Sequence, residues 1–169
     1  MAKRVRLVPR TLEDYPFAVF LGLILKRLAQ LVDPDDSLRK EVFLDRDRRF
    51  QTLFWELKGK YERLFPPFRR LHFMTAGAFP YSRDLTKARD ILYLSGAIKY
   101  VDDAMCPTWF RDSNQVVMKE LTQLGILAGG LALEFNQLVL ALETIIVPSP
   151  YNQQFPPKMG RRMAQSPSP

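Results

Sequence analysis

The chain has 169 residues, of which 47% are hydrophobic, 12% aromatic and 25% charged. That is enough for one domain with a real core and excludes a wholly disordered chain. A single cysteine, Cys106, and a single histidine, His72, exclude an intramolecular disulfide framework and argue against a Cys/His zinc site.

The net charge of +7 sits at the ends. Lys3, Arg4, Arg6 and Arg10 form a basic arm over residues 1–10, and Lys158, Arg161 and Arg162 lie in the C-terminal tail. The body, 11–157, carries 18 basic and 18 acidic residues. Basic tails can hold phosphate without sequence preference, or simply keep the termini solvated. Between Arg39 and Arg70 ten basic residues face five acidic ones, and between Asp84 and Glu143 the balance reverses to five against eight.

In chain order, Asp14-Tyr15-Pro16 predicts a helix start, with proline in the first turn where its missing N–H does little harm. The helix runs to about Val32 and is apolar nearly all round from Phe17 to Leu25, as a buried helix is. It is too short to span a bilayer. Asp33-Pro34-Asp35-Asp36-Ser37 reads as a turn, without the spacing of a calcium loop. Ser37 caps a short helix through Leu44.

Phe50, Leu53, Phe54, Leu57, Tyr61 and Leu64 then mark an amphipathic helix that Pro66-Pro67 stops. Phe68–Met74 is a brief helix or an extended link. Aromatic and basic residues interleave at Arg48–Phe50, Trp55–Lys60 and Phe65–Arg70. Such mixtures can stack bases, and at helical spacing they also serve as core beside a solvated face.

Ser82 caps a further helix with Leu85, Ala88 and Leu92 inward, and Gly96 suits its left-handed end. Ala97–Val101 alternates as a strand, Asp102-Asp103 turns, and Met105–Phe110 returns, with Pro107 expected at an edge. Trp109 and Phe110 are either a hydrophobic tip for a partner or cover for the following helix. That helix, Gln115–Val147, shows a heptad seam through Val117, Leu121, Leu124, Leu131, Phe135, Leu138 and Leu142. These residues are the candidate partner interface, although a chain of this size can also fill the seam with its own helices. Gly125, Gly129 and Gly130 weaken the helix midway. Prolines from 148 onward predict a disordered basic tail over 148–169.

The segment Ser82, Leu85, Ala88, Leu92, Gly96 and Ile98, with a hairpin at Lys99–Phe110, resembles the second half of a winged-helix domain. The resemblance covers about thirty residues. It implies a helix that enters a DNA groove and a wing that touches backbone, with Ser82, Arg83, Lys87, Arg89 and Lys99 as contact residues. Asp84, Asp90, Asp102 and Asp103 interrupt that set and oppose phosphate. The pattern also resembles, loosely, small accessory proteins of bacterial toxin–antitoxin and phage-defence operons.

No enzyme reading emerges. His72 has no local Ser or Cys and carboxylate to complete a triad and reads as a satisfied or partly buried side chain. Cys106 before Pro107 reads as an apolar filler, and Gly129-Gly130 lacks the Lys-Ser/Thr of a phosphate loop. The expectation is therefore a mainly α domain over 11–147, winged-helix-like, with a small β-hairpin and a long buried C-terminal helix. It is expected in the cytoplasm, without cofactor, metal or membrane span. Its expected role is a non-catalytic interaction or adaptor subunit, oligomeric or bound in a larger complex. The alternative is a winged-helix DNA-binding regulator.

Overall fold

The computed structural model describes residues 16–32, 41–108, 122 and 130–153. Helix α1 is Pro16–Val32, and strand β1 is Phe43–Asp45. Helix α2, Arg48–Tyr61, is followed by a 3-10 helix at Pro66–Arg70. Helix α3 is Arg83–Leu94, and strands β2 and β3 are Ile98–Val101 and Ala104–Pro107. Helix α4, Ala132–Ala141, continues into a 3-10 turn at Leu142–Ile145 and strand β4, Ile146–Val147. The described residues are thus mostly helical, with a small antiparallel sheet ordered β2-β3-β1-β4.

Helix α1 is the centre of the core, as its apolar circumference predicts. It touches α3, α4, β3 and the 3-10 helix. Phe17, Phe20, Leu21, Ile24, Leu25 and Leu28 are buried. Phe20 meets Phe68 edge-on at 5.6 Å, Phe65 at 5.7 Å and Phe135 at 6.1 Å. Truncating one such ring to alanine costs about 3–5 kcal/mol in a packed core. At 17 residues α1 does not reach across a membrane, and among the described residues no helix is long and apolar enough to do so.

Five expectations are corrected. The short helix through Leu44 gives way to strand β1, because Leu44 pairs on both sides, with Ile146 of β4 and Met105 of β3, while Phe43 pairs with Val147 of β4. Sheet pairing outweighs the local capping signal at Ser37, which itself lies outside the described residues. Leu64 does not extend the apolar face of α2. The residue before a proline is forced out of helical geometry, so Phe65 turns extended (φ −118°, ψ 96°) and takes the buried place, leaving Leu64 exposed.

The long C-terminal helix is also broken. Gly130 adopts φ +74°, α4 begins only at Ala132, and after Ala141 the chain tightens into the 3-10 turn and then lays Ile146–Val147 along β1. An open sheet edge offers that segment hydrogen bonds which a continued helix would leave to water. The remainder of the expected helix at 115–121 and 123–129 lies outside the described residues, as do Trp109 and Phe110. Finally, the tail does not begin at 148. Pro150–Gln153 forms a 3-10 turn, and the Tyr151 ring packs edge-on against Phe43 at 5.8 Å. Residues 154–169 and the arm 1–10 lie outside the described residues.

Pro107 ends β3 rather than lying on an edge strand. It is opposite Ile98 of β2, beyond the β1–β3 pairs at Met105 and Ala104, so its missing donor breaks no rung there.

Candidate functional site

The surface built by α3 and the β2–β3 hairpin is held by a compact polar clamp. The hydroxyl of Ser82 accepts from the Leu85 backbone N–H at 3.3 Å, the cap expected of it. The Ser82 backbone N–H donates to Gln51 Oε1 at 2.9 Å, and Gln51 Nε2 donates to Thr86 Oγ1 at 3.1 Å. Gln51 and Ser82 are both buried, so α2 fixes the start of α3 through a dry, satisfied network. His72 adds a second tie. Its backbone N–H donates to Asp84 Oδ2, and its ring Nδ1 lies 2.9 Å from the same oxygen. The imidazole is satisfied as expected, but exposed rather than buried. Asp84 sits in the first turn of α3, where a carboxylate favours the helix dipole.

Ser82 and Arg89, two of the candidate nucleic-acid contacts, point inward and are corrected. Ser82 is consumed by the clamp. Arg89 is only 8% exposed, its guanidinium lies 5.6 Å from the Phe50 ring centroid, and its Nε and Nη1 find no hydrogen-bond acceptor. The 85, 88, 89, 92 spacing puts it on the buried face of the helix. Lys99 on β2 is committed to Glu41, with Nζ 2.5 Å from Oε1, and that bond holds its ammonium above the ordinary lysine range. Arg83 and Lys87 are exposed one turn apart on α3.

The hairpin is short. Asp102 takes φ +51°, which aspartate tolerates better than most residues, and Asp102-Asp103 closes the turn. Its tip presents carboxylates, with Asp103 held at 3.4 Å by Arg46. Beside it, α3 ends in exposed apolar groups. Leu94 is 83% exposed, and Tyr93 stacks on Tyr100 at 5.0 Å. The Arg46 guanidinium lies 5.3 Å from the Tyr100 ring centroid, and burial pushes the Tyr100 hydroxyl up from its ordinary pKa.

The described part of the candidate partner seam is not open. Phe135, Leu138 and Leu142 are at most 1% exposed and belong to the same core as α1. Leu131 packs against that core, half-buried. The chain fills this part of the seam itself. Val117, Leu121 and Leu124 lie outside the described residues.

Cys106 is fully buried on the outer sheet face with Phe43 and Ala104, and burial pushes its thiol up to about 12. A thiol so protonated is a filler and not a nucleophile. Among the described residues no group of three His, Cys, Asp or Glu side chains is placed to hold a metal.

Gln51 escaped the sequence reading. Its signal was available: a polar residue between Phe50 and Phe54 on the inward arc of α2 must find buried partners. The exposed end at Tyr93-Leu94 was hidden by the apolar composition around it. Against known proteins, the sequence matches no family model and no curated protein, and the chain matches no solved structure.

Proposed function

We propose that this chain is a non-catalytic interaction subunit on a winged-helix-like frame, acting inside the cell. Its docking face is the end of α3 and the hairpin, not the C-terminal seam. The frame is supported by the order α1, β1, α2, α3, β2, β3 and by strand β1 pairing with β3 rather than β2. The observation that carries the docking face is the exposure of Leu94 beside the Tyr93–Tyr100 stack. Apolar surface of this kind is stabilised by coverage. Asp90 is close enough to act on Tyr100, and the adjoining hairpin tip carries Asp102 and Asp103, so the partner is a protein with an apolar centre and a basic rim. The loose resemblance to operon-encoded accessory proteins suggests a partner made from the same operon.

The test is purification from the native host after nuclease treatment. A stoichiometric protein partner is expected with the parent chain, lost in Leu94→Asp and retained in Leu133→Asp. Retention of the partner by Leu94→Asp would remove the proposed face, and a monomer without partner would remove the reading.

A DNA-binding regulator is the second reading, favoured by Arg83 and Lys87 exposed on one side of α3. It requires duplex binding at low salt that falls when both residues are replaced by alanine. The acidic hairpin tip speaks against it.

A further inference from the structure

The positive surface of the described body is not on α3. Residues 48–70, spanning α2 and the 3-10 helix, carry seven cations and two carboxylates. Most of the aromatic rings in that stretch are core: Phe50, Phe54, Tyr61, Phe65 and Phe68 are all buried. Trp55 is the exception at 44% exposed, on the side of α2 away from the core. It lines a groove of about 380 Å³ together with Glu56, Lys58, Gly59, Glu62 and Phe73. Gly59, one turn beyond Trp55, lines the groove, and a Cβ placed there meets no atom within 4 Å, so a side chain can be introduced at that wall without a clash.

The charges around this groove are arranged unequally. Glu62 is engaged by Lys58, with Nζ 2.5 Å from its Oε2, and Lys58, Arg69 and Arg63 together hold its carboxyl below the ordinary range. Arg63 and Arg69 are exposed and close enough to act on a residue of the groove wall. Glu56 is the second carboxylate of the wall, able to accept from a base N–H such as the ring N3–H of thymine or uracil.

We propose that the Trp55 groove binds single-stranded nucleic acid, with a base stacked on the indole and the adjoining phosphates held by Arg63 and Arg69. The volume is that of a small-ligand site, and an indole at the edge of a cationic surface is the arrangement that grips an unpaired strand. A duplex keeps its base faces stacked inside and offers the indole nothing. A phosphate backbone complements the excess of cations, and its unpaired bases supply the ring that the indole can stack on. This site is separate from the α3 docking face and does not depend on it.

The experiment uses the full chain with Trp109→Phe, which leaves Trp55 as the sole tryptophan, titrated with oligo-dT of about 12 nucleotides at low salt. Quenching of Trp55 fluorescence is expected, with affinity falling steeply as salt rises. With labelled oligo-dT and anisotropy as the readout, Trp55→Ala should weaken binding about tenfold while Trp55→Phe retains most of it. Arg63→Ala with Arg69→Ala should lower the salt slope by about 1.4. Gly59→Leu, filling the groove while leaving the indole in place, should weaken binding as Trp55→Ala does. Leu94→Asp should leave it unchanged, which separates this site from the partner face. Stronger binding of an oligo-U of equal length would assign the strand as RNA at the same site. No quenching at low salt, unaltered binding by Trp55→Ala and Gly59→Leu, or equal quenching by a duplex would each overturn the proposal.

Discussion

Arg89 shows how little a residue's type says about its use. On composition it is one more cation on a helix expected to meet DNA. In the fold it lies over the Phe50 ring, with two guanidinium nitrogens lacking hydrogen bonds. The cation–π contact contributes roughly 0.5–2 kcal/mol. Leaving buried donors unmatched costs about 1–3 kcal/mol. These effects oppose each other, so Arg89→Met, which keeps the volume and removes the charge, should change stability by less than about 1 kcal/mol in urea unfolding. A loss beyond about 3 kcal/mol would mean that the guanidinium serves an acceptor the geometry does not reveal. Gln51 is the converse case, a neutral residue with no functional signature that fixes the start of α3.

Among the elements, β4 and the turn after it depart furthest from the periodicity of the sequence. Leu133 and Leu140 share the exposed side of α4, and the apolar spacing continues to Val147 as if the helix did. The helix instead stops where β1 needs a second neighbour. The return is secured by Tyr151 on Phe43, with Lys99 Nζ 6.0 Å from the tyrosine ring centroid. Edge-to-face aromatic pairs contribute roughly 0.5–1.5 kcal/mol beyond their burial. Tyr151→Ala should therefore destabilise the protein by about 1 kcal/mol or more and speed amide exchange at Phe43. Unchanged protection there would show that β4 holds without this lock. By contrast the cap, apolar face and stop of α3 were legible, Arg89 and the exposed end apart: Ser82 as cap, Leu85, Ala88 and Leu92 inward, and Gly96 at φ +75°. Its signals are local and agree with one another.

For the molecule as a whole, the acid–base behaviour follows from what is buried. Cys106 titrates near 9 in an unfolded chain and at about 12 in the fold, because the thiolate would be desolvated beneath Phe43 and Ala104. Its folded pKa is raised, so the stability it contributes is present below pH 9 and is lost as pH climbs toward 12. Lys99 and Tyr100 are shifted in the same direction, the first by Glu41 and the second by burial. Stability should fall across the alkaline range, and Cys106→Ala should flatten part of that fall in urea midpoints measured from pH 8 to 11. A parent protein equally stable at both ends would contradict the burial of the thiol. The same burial predicts slow alkylation of Cys106 until the chain unfolds.

What could be read from residue order alone was whatever depends on neighbours along the chain. That includes the buried character of α1, the amphipathic α2, the cap and stop of α3 and the two-residue hairpin turn. Such features arise from backbone propensity and periodicity, which act over a few residues. What required the fold was every choice between competing surfaces: strand rather than helix at Phe43, an inward Arg89, a self-filled seam at Phe135 and Leu138, and an exposed Leu94. Those outcomes depend on which distant segment reaches a given sheet edge or core face first, and contacts of that range leave no period in the sequence.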